Sequence, residues 1–292
     1  MKRLLLAVAV PFLLPMSLAG CASTSSAAKS AEMEPTAPMV SNGMGAALDE
    51  VLAGSWRNQK NVARDQYRHP KETLSFFGVT PNQTVVEITP GGGWYSEILA
   101  PYLRESGHYV AAVWDESFPN QPAYRAELNT KLRAMFSSNA ATYGSPELRA
   151  FDPNKPSFGP NGSADTVLTF RNVHNWVEAE TAPAYFKAFF NVLKPGGVLG
   201  VVDHRAKQGT GLEIQKKSGY LTEALVIQLA QNAGFQLEGK SEVNANPKDT
   251  ADHPNGVWTL PPSNRHDAAD DEKYKAIGES DRMTLRFIKP RA

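Results

Sequence analysis

The chain has 292 residues, with 30 lysines and arginines against 30 aspartates and glutamates, so no basic excess points toward nucleic acid. Its 41% hydrophobic and 21% charged residues are ordinary for a globular protein, and the length allows one large domain or two small ones. A single cysteine excludes an internal disulfide, and six histidines without HxH or HExxH spacing offer no metal motif, so no metal is expected.

In chain order, residues 1–20 come first and read as a secretory signal. Lys2 and Arg3 precede an apolar run from Leu4 to Leu14, which is too short to span a bilayer as an ordinary helix. Leu18-Ala19-Gly20-Cys21 resembles the bacterial lipobox. That resemblance implies cleavage before Cys21 and lipidation of its side chain. Alanine rather than aspartate at position 22 implies the outer membrane, facing the periplasm of the cell envelope. Membrane contact is then through the lipid alone. Residues 21–46, rich in Ser, Ala, Thr and Pro, form a flexible tether.

A folded domain is expected over residues 47–292. Helix-type patterns cover residues 47–63, 70–77, 94–104, 121–136, 182–193 and 222–233. Strand-type patterns cover 84–88, 108–114, 147–151, 165–170, 198–203, 235–243 and 282–289. This alternation predicts an α/β fold with a largely parallel sheet covered on both faces. Residues 244–281 break the rhythm. They are long and rich in Pro, Asn and Asp, and Val257, Trp258, Leu260, Tyr274 and Ile277 give them apolar groups to pack with, so an ordered cap is expected.

Several segments together resemble the class I S-adenosylmethionine-dependent methyltransferases: VVEITPGGGW, VAAVWDES, SADTVLTFRNVHNW, LKPGGVLGVVDHR and AQNAGFQL. The resemblance covers roughly residues 65–243 and 282–290. It extends to a bacterial group of such proteins that share the EITPGGGWY and SGYLTEA-type segments and the insertion. It implies a seven-stranded Rossmann-like sheet with an antiparallel last strand, an insertion between the sixth and seventh strands, and S-adenosylmethionine as cofactor. A nicotinamide site would prefer GxGxxG, whose third glycine is missing from Thr89-Pro90-Gly91-Gly92-Gly93-Trp94.

The same resemblance suggests roles. Glu87 orients the methionine amino end, and Gly91 and Gly93 let the backbone approach the cofactor. Thr89 stands where many relatives have glycine. Asp115 takes the ribose, or Trp114 stacks on the adenine. Asp152 contacts the adenine amino group, or opens a turn. Asn172 lies beside the cofactor. His174, after the fourth strand, is a candidate base or a loop-ordering cap, and Arg171 a holder of an anionic substrate. Asp203 and His204 complete the substrate pocket, or pair structurally with Arg205. Tyr67, with Arg68 and His69, lies where a lid would cover the cofactor. The expected activity is methyl transfer to a small molecule or envelope component. The alternative is an inactive methyltransferase-like lipoprotein that binds another ligand or partner.

Overall fold

A computed structural model describes residues 42–291. The signal, Cys21 and most of the tether lie outside the described residues. Among the described residues no helix is long and apolar enough to cross a membrane.

Seven strands form one sheet: β1 (Thr84–Ile88), β2 (His108–Trp114), β3 (Glu147–Phe151), β4 (Ala164–Phe170), β5 (Leu193–His204), β6 (Gln236–Ser241) and β7 (Arg282–Ile288). Their spatial order is β3-β2-β1-β4-β5-β7-β6. The first five strands run parallel, and β7 lies antiparallel between β5 and β6. The chain leaves β1 toward β2 and β3, then returns past β1 to β4. The reversal beside β1 opens a crevice at the carboxyl ends of the strands, where α/β sheets take ligands.

Both faces of the sheet are buried. Val86, Ile88, Val110 and Val167 pack under Ala182–Val192 and Glu223–Ala233. Val85, Tyr109, Ala111 and Leu168 pack under Pro70–Phe77, Ser96–Leu103 and Ala123–Ser138. Strand alternation therefore turns Glu87 into the second layer, between two apolar neighbours of its own strand. Local signals set the helix ends. Pro70 starts one helix and Gly78 stops it at φ 70°. Thr222 caps another by accepting from the Leu225 amide at 3.3 Å, and Gly234 ends it at φ 110°.

Several features differ from expectation. The first helix is Asn42–Leu52, starting before residue 47 and stopping well short of 63. Gly54 follows, in a turn where an added Cβ would lie 2.3 Å from the Trp56 ring, and Arg57 is drawn inward onto Asp65 at 2.6 Å. LKPGG joins the start of β5 instead of standing outside it: Leu193 pairs with Ala164, and a register shift follows. Short helices at Val173–Glu178, Leu212–Ser218 and Asp271–Ile277 were not foreseen.

The insertion is ordered, with 3₁₀ turns at Gly256–Thr259 and Ala268–Asp270 before the helix Asp271–Ile277. Val257, Leu260 and Tyr274 are buried. Its hub is Asp249, whose carboxylate accepts from the Tyr220 hydroxyl at 2.9 Å, His253 Nε2 at 2.8 Å and the backbone amides of Ala251 and Asp281.

Candidate functional site

Two cavities meet at the ends of β1, β2 and β4. One, of 220 Å³, is lined by Arg64, Arg68, Glu87, Gly91, Trp94 and Arg171 among others; the second, of 560 Å³, by Gln121, Tyr124, Asn154 and Trp176 among others. Thr89, Trp114 and Asn172 line both, so the two make one cleft. Asn172 holds the floor by donating from Nδ2 to the Ile88 carbonyl at 3.0 Å and Thr169 Oγ1 at 3.3 Å.

The cleft carries unspent polar groups. Thr89 is 8% exposed, and its Oγ1 has no partner among the described residues. Its backbone is left-handed at φ 46°, which is strained for a β-branched residue and typical of functional turns. Gly91, at φ 61°, and Gly92 have nothing within 4 Å of where a Cβ would stand, which leaves room for a ligand against bare backbone. Arg64 and Arg68 each keep a buried Nη2 without a partner among the described residues. Arg68 lies over the Trp94 ring at 4.7 Å.

A third cavity, of 200 Å³, lies under the insertion and is lined by Arg171, His174, His204, Trp258, Ser280 and Arg282 among others. Arg171 lines both this chamber and the cleft. It sits left-handed at φ 60° after β4, anchored by its amide on the Val202 carbonyl at 2.7 Å. Its guanidinium has no hydrogen-bond or ion-pair partner among the described residues. Burial, with Arg282 nearby, pushes its pKa down to about 10.

Asp203, fully buried at the end of β5, organises the chamber. Its Oδ1 stands 2.9 Å from His174 Nδ1 and accepts from the His204 amide at 2.7 Å; Oδ2 accepts from the His174 amide at 3.3 Å. A carboxylate can only accept, so His174 carries a proton on Nδ1. Burial, reinforced by His174 and Arg171, pushes the pKa of His204 well below the usual imidazole range, so that ring is neutral. One carboxylate, Glu279, is shared by Arg64 at 2.6 Å, Arg68 at 3.3 Å and Arg282. Burial opposes its charge, but Arg282 and the other arginines win and hold its pKa down to about 2.

Ligand-type atoms of His174, Asp203 and His204 lie within 4.8 Å of one another, a grouping that could hold a metal and that the sequence spacing does not show. The surrounding arginines oppose a cation there, and Asp203 is already committed to three donors.

Of the residues singled out in the sequence, Glu87, Thr89, Gly91, Trp114 and Asn172 line the cleft, and Arg171, His174 and His204 the chamber, with Asp203 behind them. Glu87 is spent inward: it accepts from the Tyr109 hydroxyl at 2.5 Å and Ser96 Oγ at 3.2 Å, and burial lifts its pKa to about 7. Four residues fall elsewhere. Asp115 accepts from the Ser117 amide and hydroxyl at 2.9 and 2.7 Å, closing its own turn. Asp152 does the same with the Asn154 amide at 2.8 Å. Gly93 faces the helix Ala123–Ser138, where an added Cβ would lie 3.0 Å from Met135 Cε. Tyr67 is 36% exposed and covers Gly278. Arg64, Trp258, Ser280 and Arg282 were not foreseen; the charge density of GESDR before β7 was the available signal.

No protein-family model matches this sequence, and no curated protein is significantly similar to it. Solved structures are similar in fold. A SAM-dependent methyltransferase from Aquifex aeolicus aligns at 15% identity over 78% of this chain and 93% of its own, with a TM-score of 0.51. A provisionally assigned sarcosine dimethylglycine methyltransferase from Galdieria sulphuraria aligns at 13% identity over 80% and 87%, with a TM-score of 0.53. The [4+2]-cyclase SpnF aligns at 14% identity over 77% and 81%, with a TM-score of 0.51. At these identities the likeness speaks for architecture, and the cyclase shows that one architecture serves more than one reaction. The chain has the Rossmann-like fold of the class I S-adenosylmethionine-dependent methyltransferases.

Proposed function

We propose that this protein transfers a methyl group from S-adenosylmethionine to a small molecule or an envelope component. One observation carries the reading: a cleft of cofactor size at the carboxyl ends of β1, β2 and β4 meets, at Arg171, a separate chamber that holds a histidine–aspartate pair. The unspent groups fit the cofactor's parts. The free Nη2 atoms of Arg64 and Arg68 suit its carboxylate, Gly91 and Gly92 its close approach to backbone, and Trp114 its ribose and adenine. When bound, the cofactor supplies an electrophilic methyl on a sulfonium. His174 Nε2 takes the acceptor's proton, and Asp203 holds the resulting imidazolium. Much of the acceleration comes from holding the two reactants in line.

Calorimetry of the purified protein with S-adenosylmethionine and its demethylated product tests the reading. Micromolar binding, abolished by Gly91→Arg without loss of fold, is expected. No binding at millimolar ligand would leave the alternative, a non-methylating relative that holds another ligand. The envelope location implied by Cys21 belongs to the same proposal, and Cys21→Ser should release the protein from the membrane fraction. Unchanged fractionation would remove the anchor.

A further inference from the structure

The chamber beside the cleft has a charge imbalance that its own side chains leave unresolved. Across the chamber and the adjoining cleft, four guanidinium groups, of Arg64, Arg68, Arg171 and Arg282, face the carboxylates Glu279 and Asp203, while the third acid, Glu87, is turned to Tyr109 and Ser96. Glu279 serves three of the four and Asp203 serves a histidine, so Arg171 is left over. S-adenosylmethionine would not cancel the excess. Its carboxylate is offset by its ammonium, and its sulfonium adds one further positive charge.

The hydrogen-bond pattern supplies a second donor. Ser280 is 3% exposed; its Oγ accepts from Arg282 Nε at 3.4 Å and stands 2.6 Å from His204 Nδ1. Among the described residues, that Nδ1 is the one acceptor in hydrogen-bond contact with the Ser280 hydroxyl. Where the hydroxyl donates to Nδ1, the neutral His204 ring carries its proton on Nε2, which has no partner among the described residues. The chamber thus presents a guanidinium and, in that tautomer, an N–H for an anion, with His174 beside them, its ring centre 5.0 Å from that of His204. Its 200 Å³ holds about seven waters at ~30 Å³ each, with Trp258, Pro261 and Pro262 as apolar walls.

We propose that the acceptor is a small carboxylic acid bearing a hydroxyl or amine: Arg171 and His204 hold its carboxylate, and His174 faces its nucleophilic atom. This rests on the methyl-transfer reading for the reaction, though not for the anion site. In the step, the acceptor's O–H or N–H proton passes to His174 Nε2 and its electron pair forms the new bond to the methyl carbon. The methyl–sulfur bond breaks with its pair left on sulfur. The acceptor's negative charge also offsets the sulfonium beside the arginines, so acceptor and cofactor should bind more tightly together than alone.

The test uses salicylate as probe and salicylamide as its neutral counterpart, by calorimetry on the full-length purified protein with and without S-adenosylmethionine. Salicylate should bind without cofactor, at least 10-fold more tightly than salicylamide. Arg171→Gln should weaken salicylate roughly 10- to 100-fold, the range of a charged hydrogen bond, with Arg171→Lys in between. Circular dichroism checks that each variant folds, and His204→Phe supplies a second variant that should weaken salicylate if Arg171→Gln does not fold. Equal affinity for acid and amide, no binding of either, or salicylate binding that neither folded variant weakens overturns the proposal. Failure of S-adenosylmethionine to bind while salicylate behaves as expected overturns the methyl-transfer reading and leaves the anion site standing.

Discussion

Replacing Glu87 with glutamine should stabilise the protein, and by an amount that depends on pH. Glu87 is 3% exposed, with Tyr109 and Ser96 as its bonded neighbours and no cation paired to it. Burial raises its pKa from 4.5 to about 7, against the smaller opposite pull of those two hydroxyls. Between these values the folded state keeps a proton that the unfolded state has released. The unfolding free energy contributed by this group therefore falls as pH rises from about 4.5 to 7, and the full cost stands above 7. At about 1.4 kcal/mol per pH unit the cost is about 3 kcal/mol. Glutamine keeps an acceptor for Tyr109 and has no charge to bury. Urea unfolding of both proteins from pH 4 to 8.5 should give a difference that grows by about 3 kcal/mol in favour of Glu87→Gln. Near pH 8 its melting temperature should be higher by about 6–12 °C for a domain of this size. Taking the difference between the two proteins cancels every other titrating group. A constant offset across the range would show that Glu87 ionises at its ordinary value and refute the reasoning.

The two glycines of the turn should respond differently. Gly93→Ala, at φ 84° and 3.0 Å from Met135, should cost about 1–3 kcal/mol of stability in urea while leaving cofactor affinity nearly unchanged. Gly91→Ala meets open space, so it should cost only about 1 kcal/mol and lower cofactor affinity in calorimetry. Asp249→Ala strands four donors and should loosen the insertion by roughly 3 kcal/mol or more. Limited proteolysis should then cut first within residues 244–281, before the sheet is attacked.

Strands were legible because their signal is local. Residues 84–88, 108–114 and 147–151 are bounded as their apolar and β-branched runs predict. Helices of four to seven residues, such as Val173–Glu178, are too short for a 3.6-residue period to show, so the sequence pattern alone leaves His174 in a loop. The site was less legible because a side chain's role depends on its direction. Asp115 stands close to where a ribose-binding acid is wanted, but Ser117, two residues on, gives it a local partner and closes a turn. His174 and Asp203 are 29 positions apart and meet only because β4 and β5 are neighbours in the sheet. Arg64 and Arg68 each lie more than 200 residues from Glu279, and no spacing rule could join them to it.

Thr89 separates the two functional readings. It carries two costs: a left-handed β-branched backbone and a buried hydroxyl with no partner among the described residues. Each is of order 1–3 kcal/mol. Glycine at this position removes both but adds about 1 kcal/mol of chain entropy to be lost on folding, so Thr89→Gly should raise stability by about 1–5 kcal/mol in urea. The effect on the cofactor is the informative part. If Oγ1 bonds a polar group of the cofactor, the variant loses that bond and binds S-adenosylmethionine about 5- to 10-fold more weakly, the usual worth of one neutral hydrogen bond. If the side chain instead blocks a cleft that no longer serves that cofactor, removing it opens the turn and binding improves. A variant that gains both stability and cofactor affinity would show that the threonine closes the site, and methyl transfer would then be the wrong reading of this cleft.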